Sequence, residues 1–477
     1  MLQFRQQFYI GGAWVEPTST RRLPVVDPAT EEEIAQVIDA DETDVNRAVA
    51  AAKAAFASFR RTSLAERIAL IERIGSVLTR RGEELAVAIS REMGAPIAFA
   101  RAAQVPACTA QLQALLSALP QHHFSEQHGQ ALVVKEPIGV CAIITPWNFP
   151  AQQIVMKATA ALAAGCTMVV KPSEMTPLSA NLVAEIFAEA GTPPGVFNLI
   201  HGRGPTAGAT LCAHPDVDMV SFTGSTRAGI AIAQAAAPTI KRVVTELGGK
   251  SANCILPDAD LAAAVRNGVL SCFGNSGQSC IAPTRMLVHA SQREQAIGYA
   301  REAAEQLKLG PTDDVATDLG PLANRNQFER VRNYIETGIG EKATLVTGGL
   351  ERPAGTERGF YVRPTVFADV TPEMTIAREE IFGPVLSIIS YRDEAEMLKI
   401  ANDTPYGLAG YVQSSNPAEA RRIAGEIRAG TVQINYGDLD MGAPFGGYKQ
   451  SGNGREWGSY GLEEFLETKS IHGHAGA

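Results

Sequence analysis

Short apolar segments alternate with helical patterns over most of the chain, from Val140 to about Ile434. Strands are predicted first over residues 140–145, 168–171, 196–201, 219–222 and 242–245. A strand–helix alternation of this kind favours parallel sheets that are covered by helices on both faces. Sheets of this type bind ligands at the carboxyl ends of their strands, so the loops that follow these strands are the candidate functional loops. The predicted fold class is therefore α/β.

A second alternation begins after Gly248, with a strand at 254–256, a helix at 259–270 and a strand at 285–288. A chain of 477 residues is long enough for two or three domains, each with its own core. The sequence therefore predicts a second α/β domain. An active site shared by the two domains would lie in the cleft between them.

Composition excludes several classes of function. The formal net charge is −9 and there is no long basic run, so neither nucleic acid nor an anionic membrane is an expected partner. The seven cysteines are odd in number and include no C-x-x-C pair, which argues against a disulfide framework and against a metal site. The N-terminus shows no leader pattern and no apolar stretch reaches spanning length. We therefore expect a cytoplasmic enzyme.

The most informative stretch is Phe273-Gly-Asn-Ser-Gly-Gln-Ser-Cys280. A thiol at the end of a small, Gly-rich run is accessible, and glycine lets the backbone approach a bound ligand closely. A cysteine attacks carbonyls as the thiolate, so it needs a lowered pKa or a nearby base. Glu246, in Glu246-Leu-Gly-Gly-Lys-Ser251, is the candidate for that base or for activating a water. The alternative is that Cys280 is an inert buried thiol.

Glu-Leu-Gly-Gly-Lys-Ser followed by Gly-Gln-Ser-Cys at this separation resembles the aldehyde dehydrogenase superfamily, of the NAD(P)-dependent hydrolytic type. The resemblance covers nearly the whole chain. It implies two doubly wound parallel-sheet domains and a small bridging arm that builds a homodimer or homotetramer. The expected NAD-binding domain is 1–118 with 138–248, the catalytic domain is 249–448, and the arm and tail are 119–137 and 449–477.

The loop Thr145-Pro-Trp-Asn-Phe-Pro150 carries two prolines that fix a turn around Asn148. An amide donor beside an attacked carbonyl can stabilise the developing oxyanion. An Asn that only holds its own turn is the other interpretation. The resemblance implies that Asn148 serves the oxyanion hole together with the backbone N–H of Cys280.

Three further loops concern the cofactor. The resemblance implies that Lys171 reaches the adenosine ribose and that Glu174 influences cofactor choice. A carboxylate accepts hydrogen bonds from ribose hydroxyls and repels a 2′-phosphate, so Glu174 favours NAD over NADP, which stays possible; an exposed Glu at a helix start is the alternative. The loop 202–207 fits G-x-G-x-x-A, but the resemblance favours Gly224 and Ser225 at the pyrophosphate.

In the same way, the resemblance implies that Glu380 contacts the nicotinamide ribose and that Phe382 packs beside the nicotinamide. The predicted cofactor-binding residues are Thr145, Pro146, Trp147, Lys171, Ser173, Glu174, Gly204, Gly208, Phe222, Gly224, Ser225, Thr226, Gly229, Leu247, Gly248, Glu380 and Phe382.

The resemblance implies a mechanism in which the Cys280 thiolate adds to an aldehyde, giving a thiohemiacetal and then a thioester. Glu246 activates the water that hydrolyses the thioester, and Lys157 matches a family lysine near the site. The expected substrate is a fairly nonpolar, medium-sized aldehyde, because the residues that flank the nucleophile carry no positive charge. The predicted substrate-pocket residues are Phe149, Gln153, Met156, Ser279, Ile281, Leu439 and Phe445.

Three other functions are considered. Relatives that pass the acyl group to coenzyme A commonly lack a carboxylate at the position of Glu246. A cofactor-free thiol esterase would need no cofactor loops. A structural, crystallin-like member of this family can lose the nucleophile, which Cys280 contradicts.

Overall fold

The computed structural model describes residues 5–473, so the last four residues of the predicted arm and tail, 474–477, lie outside the described residues. The strands of this part are β1 (Phe8–Ile10), β2 (Ala13–Val15), β3 (Arg22–Asp27), β4 (Glu32–Ile38), β5 (Ser125–His128), β6 (Ala131–Pro137), β7 (Val140–Ile144), β8 (Thr167–Lys171), β9 (Phe197–Leu199), β10 (Met219–Thr223), β11 (Arg242–Glu246), β12 (Ala252–Ile255), β13 (Arg285–His289), β14 (Thr344–Thr347), β15 (Thr365–Ala368), β16 (Val385–Tyr391), β17 (Ala409–Gln413), β18 (Thr431–Ile434), β19 (Gly452–Asn453) and β20 (Leu466–His472).

The helices are α1 (Glu42–Phe59), α2 (Leu64–Arg80), α3 (Gly82–Met93), α4 (Ile97–Phe99), α5 (Val105–Ala118), α6 (Pro150–Ala164), α7 (Pro177–Glu189), α8 (Ala209–Ala213), α9 (Thr226–Ala236), α10 (Leu261–Phe273), α11 (Arg293–Glu305), α12 (Arg325–Gly340), α13 (Thr375–Arg378), α14 (Glu394–Asn402), α15 (Pro417–Glu426) and α16 (Gly458–Glu463). Among these helices, we find no segment of the length and apolarity that crossing a membrane requires.

The first sheet has the strand order β19-β11-β10-β7-β8-β9-β1-β2. Its five central strands are parallel, and the strands at both edges are antiparallel. Alternate residues of β7 belong to different cores: Cys141 and Ile143 pack in one, while Ala142 and Ile144 pack in the other. Both faces of the sheet are therefore buried, as the continuous apolar run of this strand predicts.

The second sheet has the order β14-β15-β16-β13-β12-β17-β18, and all its pairs are parallel except β14 with β15. In this sheet too, neighbouring residues of one strand pack in different cores, as Cys254 and Ile255 of β12 do. The predicted architecture of two α/β domains with parallel sheets is confirmed.

A separate antiparallel sheet, β20-β6-β5, is formed by the predicted arm. From the C-terminal segment it takes only Leu466–His472. β19 instead pairs with β11 in the first sheet, and α16 packs on α5 and α6. Within the segment predicted as arm and tail, β20 thus forms the arm strand, whereas β19 and α16 pack against the first domain.

Candidate active site

Four parallel strands of the first sheet end at one edge. β7 ends just before Thr145, β8 ends at Lys171, β10 at Thr223 and β11 at Glu246. Thr223 is the register partner of Glu246, so the two residues lie side by side. The predicted cofactor loops and the predicted base therefore leave the same edge of one sheet, as expected for a doubly wound fold.

The nucleophile turn, residues 274–280, follows α10 of the second domain. Asn275 and Ser276 have φ values of +54° and +55°, and Gly277 follows at +72°. Three consecutive left-handed residues make a tight reversal that non-glycine residues adopt only when other contacts hold them. The Ser276 hydroxyl donates to the carbonyl oxygen of Gly320 (2.8 Å), and the side-chain oxygen of Gln278 accepts from the backbone N–H of Ala323 (2.9 Å).

Cys280 ends this turn and is partly exposed, whereas the other six cysteines are buried. Cys280 is thus the cysteine whose exposure best fits the predicted nucleophile, while its sulfur lies deep enough for burial to raise its pKa. The backbone of Gly249 packs directly on it: a Cβ added at Gly249 would lie 2.5 Å from the carbonyl oxygen of Cys280. Only glycine permits this approach without displacement. The two motifs, distant in sequence, are thus in contact.

Asn148 contributes a buried amide from the first domain. Its side-chain N–H donates to the carbonyl oxygen of Gln278 at 3.1 Å, two residues before Cys280. The side chain therefore contacts the nucleophile turn rather than holding only its own turn. Because an amide nitrogen carries two hydrogens, one of them stays available to a substrate oxygen.

Three carboxyl groups surround the thiol. Burial raises the pKa of Cys280, and the neighbouring Glu380, Glu246 and Glu456 raise it further, since each opposes a second negative charge. Glu246 is 2 % exposed, and neither of its carboxyl oxygens has a hydrogen-bond partner in the described residues. Burial, followed by Glu456, raises the pKa of Glu246 well above its usual value. Both the thiol and this acid are therefore harder to ionise than an exposed cysteine or glutamate.

Within the described residues, no hydrogen bond joins Lys157 to the Cys280 thiol. Its ammonium group forms a buried ion pair with Glu456 and donates to the Ser221 hydroxyl at 3.3 Å. Glu456 was not identified from the sequence, because it lies in the segment assigned to the arm and carries no motif of its own. A pocket adjoins this pair, and Met156 and Trp457 also line it.

On the cofactor side, α9 begins at the sheet edge with eleven residues and an exposed N-cap, Ser225, whose hydroxyl accepts from the N–H of Ala228 (3.3 Å). A close contact favours glycine at position 229, since a Cβ there would lie 2.8 Å from the Leu247 side chain. The free N–H groups of a helix N-terminus bind anions well. Gly224 precedes this turn and donates its N–H to the carbonyl oxygen of Glu246 (3.0 Å).

Lys171 is buried, and its ammonium group donates to the carbonyl oxygens of Pro172 (2.7 Å) and Gly202 (2.9 Å). Burial lowers the pKa of Lys171, which Glu174 partly opposes. Gly208, in the loop that fits G-x-G-x-x-A, packs on the Lys171 side chain. The two candidate loops for the pyrophosphate, residues 202–207 and 224–225, thus both follow parallel strands of the first sheet at their carboxyl ends.

The second domain supplies Glu380 and Phe382. The Glu380 carboxylate accepts from the backbone N–H of Gly249 at 3.0 Å. Phe382 meets Trp147 of the first domain edge to face, with ring centroids 5.4 Å apart. This aromatic pair closes one side of the cleft between the domains.

The polar groups at the carboxyl ends of these strands suit a dinucleotide. Buried hydroxyl oxygens of Thr145 and Thr223 and both oxygens of Glu246 have no partner within the described residues, although buried polar groups are normally satisfied. The remaining predicted cofactor-binding residues, Pro146, Ser173, Gly204, Phe222, Thr226 and Gly248, lie in these same loops or strand ends. No group of three or more metal-ligating side chains occurs within residues 5–473.

The predicted substrate pocket is assembled in part. Phe149 packs against Phe99 with ring centroids 6.5 Å apart, and Phe445 stacks on Trp457 at 4.4 Å. Met156 is buried, whereas Gln153, Ser279, Ile281 and Leu439 are partly exposed. Trp457, which lines a pocket together with Met156, was not identified from the sequence because it belongs to no recognised motif.

Comparison with known proteins agrees with this geometry. Residues 14–471 match the model of the aldehyde dehydrogenase family. The chain is 50 % identical to 3-succinoylsemialdehyde-pyridine dehydrogenase of a Pseudomonas species, over 99 % of both chains. Two similar solved structures are a cysteine-to-alanine variant of aldehyde dehydrogenase C of Pseudomonas syringae with NAD⁺ and octanal (52 % identity, TM-score 0.98, 99 % and 97 % coverage) and a Mycobacterium tuberculosis aldehyde dehydrogenase with NAD⁺ (41 %, 0.96, 98 % of each chain). The chain therefore belongs to the aldehyde dehydrogenase family, and it is an oxidoreductase that acts on aldehydes.

Proposed function

We propose that the protein oxidises an aldehyde to a carboxylic acid with NAD, using Cys280 as nucleophile, Asn148 as oxyanion donor and Glu246 as the base for hydrolysis. The observation that supports this most directly is the contact of the Asn148 amide and of Gly249 with the nucleophile turn, beside the buried Glu246. These contacts support a site that combines the Cys280 sulfur, the Asn148 amide and the Glu246 carboxyl group.

In the first step the Cys280 sulfur adds to the aldehyde carbon and the carbonyl oxygen becomes an oxyanion. The free N–H of Asn148 and the backbone N–H of Cys280 are the donors for this oxyanion. Because its surroundings raise the pKa of Cys280, the thiol must lose its proton as the substrate binds or as the C–S bond forms.

Lys171, Glu174, Ser225, Glu380 and Phe382 would hold NAD, which supplies the hydride acceptor when bound. Hydrolysis of the acyl group on Cys280 then needs a base. Glu246 can take a proton from water once it is ionised, and its raised pKa makes it a stronger base than an ordinary glutamate.

Replacement of Cys280 by alanine tests this mechanism. The Cys280→Ala variant should lose aldehyde oxidation while it still binds NAD, which quenching of intrinsic fluorescence measures. Near wild-type NADH production by the variant would contradict the assignment. Addition of coenzyme A to the wild-type enzyme separates acyl transfer from hydrolysis, because only the former yields an acyl thioester in solution.

Glu174 supports a preference for NAD. It is partly exposed at the end of the loop that follows β8, close enough to Lys171 to influence that ammonium group. The Glu174→Ser variant removes the charge that would repel a 2′-phosphate, so kcat/KM with NADP should rise relative to NAD. An unchanged ratio would show that cofactor choice is made elsewhere.

The substrate is proposed to be a fairly nonpolar, medium-sized aldehyde. Phe149, Met156, Ile281 and Phe445 are apolar and sit in segments that reach the thiol, and a relative of similar structure was crystallised with octanal. The named Pseudomonas relative acts on an aromatic semialdehyde, according to its name. A panel of aliphatic, aromatic and carboxylated aldehydes, compared by kcat/KM, distinguishes the two classes.

We also propose that the β20-β6-β5 sheet builds a homodimer or homotetramer. β20 is an edge strand in which every residue after Leu466 is exposed, and such edges readily pair with another chain. Light scattering after gel filtration measures the mass, and a monomer would contradict the proposal.

Seven free cysteines support the predicted cytoplasmic location, since unpaired thiols persist in a reducing compartment.

A further inference from the structure

A buried amide, Gln104, connects the oxyanion donor to the nucleophile turn. Its side-chain nitrogen lies 3.2 Å from the backbone oxygen of Asn148 and 3.3 Å from the side-chain oxygen of Asn275. Gln104 is 1 % exposed. No sequence motif identifies it, and it takes no part in the chemical steps proposed above.

The backbone around Gln104 is unusual. Residues Ala100–Gln104 form a π-helical turn between α4 and α5. Turns of this kind insert an extra residue into a helix and are found most often at functional sites. Gln104 is the last residue of the turn, and α5 continues from Val105 with ordinary geometry.

The strained nucleophile turn depends on the orientation of one amide. Left-handed backbone costs about 1–2 kcal/mol at each non-glycine residue, so Asn275 and Ser276 need compensating contacts. The side-chain nitrogen of Asn275 donates to the carbonyl oxygens of Asn148 (3.1 Å) and Gln278 (3.2 Å). A flipped Asn275 amide would place its oxygen against those two carbonyl oxygens. The donor of Gln104, facing the Asn275 oxygen, selects the orientation that avoids this.

Asn148 is held at both ends by the same network. Its backbone oxygen accepts from Gln104 and Asn275, while its side-chain nitrogen donates to Gln278. The direction of its remaining N–H is therefore set by bonds that begin at Gln104. The amide groups of Gln104, Asn148 and Asn275 and the Gln278 carbonyl form what we call the amide network.

We propose that Gln104 is a positioning residue of the reaction. By donating to the Asn148 carbonyl and to the Asn275 side chain, it holds the oxyanion donor and the Cys280 turn at the relative positions that addition to the aldehyde requires. The inference rests on the proposed roles of Asn148 and Cys280.

The Gln104→Met variant tests it, because methionine keeps the volume and loses the donor. The matched control is Gln413→Met, which removes a buried glutamine-to-asparagine side-chain bond of the same type (Gln413 to Asn253, 3.0 Å) inside the second sheet. The measurement is the single-turnover rate of NADH formation from preformed enzyme–NAD, together with NAD affinity and Tm. A tenfold loss of rate corresponds to about 1.4 kcal/mol of transition-state stabilisation.

For Gln104→Met we expect the single-turnover rate to fall by about tenfold to a hundredfold with unchanged NAD affinity, because outright removal of an oxyanion donor costs about a hundredfold to a thousandfold and its displacement should cost less. Both variants should lower Tm to a similar extent, but Gln413→Met should leave the single-turnover rate of NADH formation unchanged. A Gln104→Met rate within about twofold of wild type, or an equal loss of rate in both variants, would overturn the proposal. The wild-type oxidation and the Cys280→Ala variant report separately on the proposed function.

Gln104→Glu provides the second variant if the methionine variant does not fold. A protonated carboxyl can still donate a hydrogen bond, whereas the ionised form repels the two oxygens it faces. The ratio of its rate to the wild-type rate should therefore fall as the pH rises from about 6 to about 10. A ratio that is constant over this interval would overturn the proposal.

Discussion

One methyl group added at Gly249 should displace the nucleophile. A Cβ there would lie 2.5 Å from the Cys280 carbonyl oxygen and 3.3 Å from the Cβ of Leu408, whereas ordinary contact begins at 3.4 Å. The nearer obstacle is backbone, so no side-chain rotation relieves the overlap. One of the two backbone segments must therefore move by roughly 0.5–1 Å.

A displacement of this size matters because the attacking sulfur must meet the carbonyl carbon in a narrow geometry. A misplacement of about 1 Å can cost about a hundredfold in rate, which corresponds to about 2.7 kcal/mol. We therefore expect Gly249→Ala to lower the single-turnover rate of NADH formation by about one to two orders of magnitude.

The control is Gly298→Ala in α11, where an added Cβ has no neighbour within 4 Å. Alanine is favoured over glycine inside a helix by about 1 kcal/mol, so this variant should keep its rate and gain slightly in Tm. NAD affinity is measured in parallel, because the Gly249 N–H also donates to Glu380. A Gly249→Ala rate within about threefold of wild type would refute the steric argument; a loss confined to NAD affinity would assign the effect to Glu380 instead.

Two further variants test the electrostatics. Glu456→Gln removes the charge that, after burial, most raises the pKa of Glu246, so Glu246 should ionise at lower pH and the rise of kcat with pH should shift to more acidic values; an unshifted profile would contradict this coupling. Burial and then Arg285 lower the pKa of Lys250 to about 7, against about 10.4 in an unfolded chain. Between these values the unfolded state binds the extra proton, so wild-type stability should increase with pH. The Lys250→Met variant, which removes a buried amine without a partner in the described residues, should have the higher Tm near pH 7 and lose that advantage by about pH 10; a pH-independent difference would refute this.

The parts of the fold that were predicted correctly depend on local patterns. β7 was expected over 140–145 and spans Val140–Ile144, because a continuous apolar run bounded by turn residues is visible in a short window. α2 likewise begins with a local signal, the capping box in which Ser63 and Glu66 exchange hydrogen bonds. Motifs of consecutive residues likewise indicated Cys280 and Glu246.

What could not be predicted depends on contacts between distant residues. Gln104 is 44 residues from Asn148 and 171 from Asn275, and Lys157 is 299 from Glu456. No periodicity in the neighbourhood of either residue reflects such a contact. The pairing of β19 with β11 could not be predicted for the same reason, since β19 has two residues and a strand of that length has no recognisable alternation.

Different residues of the site control its geometry and its protonation. The amide network that connects Asn148 with the Cys280 turn contains no group that ionises between acidic and alkaline pH. The carboxyl groups that raise the pKa of Cys280, first among them Glu380 and Glu246, contribute charge instead. Changes in pH should therefore alter the population of reactive thiolate and of ionised Glu246, while the aim of the oxyanion donor stays fixed. Uncharged variants of the amide network, such as Gln104→Met, should lower the rate at every pH, and variants of the acids should move the pH profile, so the two sets of residues can be told apart by one series of rate measurements.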